Sequence, residues 1–119
     1  MTADTDRELL EAAARAAGMV VLPHDRPWRD EDKGWFYNEH GAGGMHSNER
    51  PAHWNALTSD ADALRLAVKL RLMVHISGVL VDGVHVQSEH GVAKELYGTD
   101  PYAATRRAIV RAAAEVGRA

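Results

Sequence analysis

Trp54-Asn55-Ala56-Leu57-Thr58-Ser59-Asp60-Ala61-Asp62-Ala63-Leu64-Arg65-Leu66-Ala67-Val68-Lys69-Leu70 decides the fold of this chain. It reads as a tight loop running into a capped helix. Thr58 or Ser59 supplies the cap hydroxyl, and Asp60 and Asp62 fall in the first turn, where the helix dipole favours negative charge. Asp62 and Arg65 are spaced to pair across one turn. Leu64, Ala67, Val68, Leu70 and Leu72 leave only a narrow polar arc, which predicts a helix buried against a sheet.

The segments on either side supply the rest of a small α+β domain. Upstream, Thr5-Asp6-Arg7-Glu8 has the form of a capping box, and Leu9, Leu10, Ala13, Ala16 and Ala17 recur at helical spacing as far as Gly18, the natural C′ residue. Met19-Val20-Val21-Leu22 and Gly34-Trp35-Phe36-Tyr37-Asn38 are short β-prone runs. Downstream, Leu72–Ile76 reads as a strand ending at Ser77-Gly78. Val79–Val81 and Val84–Val86 flank Asp82-Gly83, a two-residue type I′ hairpin signal. The alternation sets Val79, Val81, Val84 and Val86 on one face and Leu80, His85 and Gln87 on the other. Thr99-Asp100-Pro101 opens a last helix with a cap and proline at N1. That helix has an apolar side of Ile109, Ala112, Ala113 and Val116 and a polar side of Arg107, Arg111, Glu115 and Arg118. The expected architecture is an antiparallel sheet of about three to five strands covered by three helices, an α-β-α sandwich.

Length and composition bound the reading. A chain of 119 residues makes one domain, 1–119, able to bury a modest core unaided. The net charge of −3 disfavours broad nucleic-acid binding. The absence of cysteine removes disulfides and thiolate chemistry together. Met1–Asp6 is acidic and lacks an apolar core, so no secretory leader is read there, and no apolar run reaches the ~18 residues of a membrane span. The expected compartment is cytoplasmic.

Residues 23–53 differ from the rest. They hold three of the four prolines, four glycines between 34 and 44, and many charges. We read them as an elaborated insertion, and loops of that length in a small domain are usually functional or disordered.

The Trp54–Leu70 segment, joined to Asp100-Pro101-Tyr102-Ala103-Ala104-Thr105-Arg106-Arg107-Ala108-Ile109-Val110-Arg111-Ala112-Ala113-Ala114-Glu115, resembles the phage ABA sandwich domain family. These are small phage and prophage proteins with a W-N-P-L loop before an aspartate-rich helix start and a terminal helix opening with D-P. The likeness covers residues 54 to 116 and, more loosely, 5 to 22. Ala56 stands where the family pattern has proline, and residues 23–53 exceed the family's usual connection. The resemblance implies a sheet with helical layers and a phage or prophage origin. It implies no general activity and transfers no catalytic residues.

Seven histidines are many for this length. His40, His46 and His53, with Glu49 among them and His24 upstream, are the residue types of a zinc or nickel site, at spacings that match no compact motif. A histidine–asparagine–histidine nuclease built on His40, Asn48 and His53 would need a helix where a tryptophan loop stands. His75 and His85 fall on one sheet face, where they suit a partner surface whose affinity falls as pH drops through ~6.5. Trp28, Trp35, Phe36, Tyr37 and Trp54 are rigid anchors for an interface or for a satellite core. Arg106, Arg107 and Arg111 form the one arginine cluster suited to phosphate. No G-x-x-x-x-G-K or G-x-G-x-x-G loop and no nucleophile elbow is present.

These observations lead us to expect a non-enzymatic phage or prophage accessory protein with no cofactor. It would bind a host defence protein or ribonucleoprotein, as an anti-CRISPR-like inhibitor does. Trp28, Trp35, His40, His46 and His53 are the expected contacts, and a homodimer is left open. The alternatives are a sponge that sequesters a small signalling nucleotide through the arginine cluster, and a metal-binding protein or metal-dependent enzyme using the loop histidines.

Overall fold

A computed structural model describes residues 5–21, 36–38, 54–78 and 82–119. The elements run α1 (Asp6–Ala16), β1 (Met19–Val21), β2 (Phe36–Asn38), α2 (Asp60–Leu70), β3 (Met73–Ser77), β4 (Gly83–Ser88), β5 (Gly91–Leu96) and α3 (Pro101–Arg118). The fold is α+β, with three helices and a three-stranded antiparallel sheet in the order β3-β4-β5. β1 and β2 form a separate antiparallel ribbon that pairs Val20 with Tyr37.

Local chemistry starts each helix. The Thr5 hydroxyl accepts from the Glu8 N–H (3.2 Å), while the Thr5 N–H donates to the Glu8 carboxylate (3.2 Å), completing the capping box. Gly18, at φ +78°, terminates α1. Ser59 caps α2 through the Asp62 N–H (3.2 Å), and Asp100 caps α3 through the N–H groups of Tyr102 and Ala103 (3.0 and 3.2 Å). Asp62 also accepts from the Asn55 N–H (3.0 Å), and the Asn55 side chain accepts from the Leu57 N–H (2.9 Å), so the loop before α2 is fastened from both ends. Trp54 and Ala56 are buried in the core.

α3 is the centre of the packing. It covers the sheet along β4 and β5, and both α1 and α2 rest on it. α1 and α3 run in the same direction: Asp6 pairs with Arg107 (3.1 Å) at one end, and Gly117 meets the backbone of Ala12 and Ala16 at the other. The buried residues of the two helices are mostly small, Ala12, Ala13 and Ala14 on α1 and Ala108, Ala112, Ala113 and Ala114 on α3. Among the described residues Leu10, Val86 and Val110 are the largest fully buried side chains, each contributing about 1.5–3 kcal/mol by burial.

Three expectations need correction. The Asp82-Gly83 pair is not a two-residue hairpin turn. Gly83 is the first residue of β4, paired with Ser77 on one side and Leu96 on the other, so the β3–β4 connection spans 78–82. Glycine is required at 83 because a β-carbon would come within 2.8 Å of the Glu95 carbonyl oxygen. Val79–Val81 lie outside the described residues. Second, α2 rests on α3, and Leu64 and Val68 face outward, 64% and 67% exposed. Third, β5 was not anticipated. Its hairpin with β4 turns at Glu89-His90, and Gly91 takes φ +141°.

Candidate binding surfaces

The sheet register divides its side chains between two faces. Val74, Ile76, Val84, Val86, Ala93 and Glu95 share the inner face, which α3 covers along β4 and β5. The opposite face carries Met73, His75, Ser77, His85, Gln87, Val92, Lys94 and Leu96. It is open, with Met73, Val92 and Leu96 at 62%, 50% and 75% exposure. Across its middle runs a row of register partners, His75–His85–Lys94. The two imidazoles stack, ring centroids 4.7 Å apart and planes within 10°. A depression of about 420 Å³ lies beside them, bordered by Ser77, Gly83 and Leu96. The face thus combines large apolar groups with nitrogen donors and a permanent cation, the composition of a protein-contact patch.

A second concavity of about 660 Å³ lies between α2, α3 and β3. Ala63, Leu64, Ala67, Val74, Ile76 and Ile109 make it apolar, and Tyr102 stands at its side. Tyr97 also lines it, and the Tyr97 hydroxyl is buried with no hydrogen-bond partner among the described residues. A buried unpaired hydroxyl costs about 1–3 kcal/mol, so a group that satisfied it would bind there more tightly.

The three arginines of the expected cluster point to three different elements. Arg106 donates to the Leu57 carbonyl (2.9 Å) and the Asp60 carboxylate (2.6 Å), tying α3 to the start of α2. Arg107 pairs with Asp6 on α1. Arg111 pairs with Glu95 and donates to the Lys94 carbonyl (2.8 Å), tying α3 to β5. Each clamps a neighbour onto α3.

The expected contacts Trp28, Trp35, His40, His46 and His53 lie outside the described residues, as do His24 and Glu49. Phe36 and Tyr37 are placed in β2. Among the described residues no three His, Asp or Glu side chains are grouped to hold a metal ion, and no helix is long and apolar enough to cross a membrane. Trp54 is a core residue. The adjacency of His75 and His85 was legible from strand alternation. The apolar flank that Val92 and Leu96 give them was not, because β5 went unread. Comparison with known proteins returned no matching family model, curated protein or solved structure.

Proposed function

We propose that the chain is a phage or prophage accessory protein that acts in the cytoplasm of a bacterial host by binding, inhibiting a host defence protein or ribonucleoprotein as an anti-CRISPR protein does. The origin rests on the resemblance carried by Trp54–Leu70 and Asp100–Glu115, and the anti-defence role extends it by analogy with other phage-borne accessory proteins. The observation that supports binding is the open sheet face, where Met73, Val92 and Leu96 surround His75, His85 and Lys94. Large apolar side chains displayed on a strand give the monomer no burial energy, whereas in a complex each would contribute about 1.5–3 kcal/mol. The complementary partner surface is apolar with carboxylates placed to meet Lys94 and the imidazoles.

The test is functional. Expression of the protein in a host that carries an active defence system restores phage plating. The double variant Val92→Glu, Leu96→Glu, whose fold is checked by circular dichroism, does not. Wild-type protein without effect on plating in hosts bearing the common defence types would reject the anti-defence role. A folded double variant as active as wild type would reject this face as the contact.

A further inference from the structure

We propose that two copies of this chain join through their β3 strands, about a twofold axis at His75, to make one continuous six-stranded sheet with a four-imidazole row across it. The inference does not depend on the identity of the partner proposed above.

The two edge strands of the sheet differ. β3 and β5 each pair only with β4 among the described residues. β5 carries Lys94, Glu95 and Gly91, the charges and glycine that guard an edge against further pairing. β3 reads Met-Val-His-Ile-Ser, with no charge, proline or glycine, and Ile76 at its border is 66% exposed. An unguarded apolar edge is a template for another strand, and the strand of matching length and character is its own copy.

The register supports the axis at His75. Antiparallel pairing centred there sets Val74 opposite Ile76 of the second copy, an apolar cross-strand pair on the inner face. It extends the outer row to His85–His75–His75–His85, with one Lys94 at each end. The groove beside β3, with Leu64 of α2 and Ile76 on its wall, then faces its twin, so these exposed residues gain cover on the inner side.

Sedimentation and single-cysteine cross-linking test this. Wild type sediments at twice the 13.0 kDa monomer mass near neutral pH. Ile76→Lys is monomeric and still unfolds cooperatively, at a melting temperature that, unlike the wild type's, does not depend on protein concentration. Because the chain has no cysteine, His75→Cys reports on the axis directly. Mild oxidation links it into a dimer, whereas Leu96→Cys on the far edge stays unlinked. A wild type monomeric at all concentrations overturns the proposal, as does a dimer linked by Leu96→Cys and not by His75→Cys.

Discussion

The α1–α3 interface and the outer face of the sheet are both apolar, and they are apolar in opposite ways. The helix pair is closed by alanine and glycine. Its side chains are so short that the backbones themselves meet, with Gly117 against the carbonyl of Ala12. The sheet face carries Met73, Val92 and Leu96, large groups left in solvent. A small-residue interface gains through close approach and dispersion over many atoms, and it leaves no room for an added methyl. A large-residue open face gains nothing until something covers it. The first region therefore stores the stability of the monomer, and the second is available for association.

The largest effect expected is from Leu10→Ala. Leu10 is fully buried in α1, beside the alanines that fix the helix pair, and the cavity left behind would cost about 3 kcal/mol in chemical denaturation. Gly117→Val tests the closeness itself. A β-carbon at 117 would overlap the Ala12 carbonyl oxygen, so α3 must lift or fray at its last turn, at a cost of about 2 kcal/mol. If Gly117→Val melts with wild type, the helices are not in backbone contact and the contrast drawn above fails.

The joint between the two regions comes next. Arg111 on α3 pairs with Glu95 on β5, the one charged residue of that strand's inner face. Glu95→Ala should destabilise by about 1 kcal/mol, and the loss should shrink in high salt because the pair is partly exposed. A salt-independent loss would mean that the glutamate acts through packing and not charge.

These elements were not equally legible in the sequence. Helix starts were, because the Thr5–Glu8 box, the Ser59 cap and Asp100-Pro101 act within one turn and depend on nothing distant. His75 and His85 were, because strand alternation is also local. β5 was hidden because its pattern is inverted: Val92 and Leu96 point out while Ala93 and Glu95 point in. Only Arg111, sixteen residues away, explains an inward glutamate. The outward turn of Leu64 and Val68 on α2 was hidden for a similar reason, since hydrophobic spacing cannot say that α2 rests on α3 along one narrow stripe. Where local pattern and tertiary placement disagree, the disagreement marks surface that the monomer alone does not explain.

Leu96→Ser gives the smallest effect on stability, and for that reason it sharpens the comparison most. Leu96 is 75% exposed, the most open of the large apolar residues among those described, and it sits at the end of β5 opposite Gly83. Removing it takes away almost no buried area, so the melting curve should move by no more than about 0.5 kcal/mol in either direction. If the outer face works by association, the same change should instead weaken complex formation by about 1 kcal/mol or more, because a leucine that becomes buried gives up its full transfer energy. Titration calorimetry against the isolated host partner, run beside the melts, separates the two effects. A variant that loses stability and keeps its affinity would place Leu96 with the alanines of the helix pair, as part of what holds the monomer together.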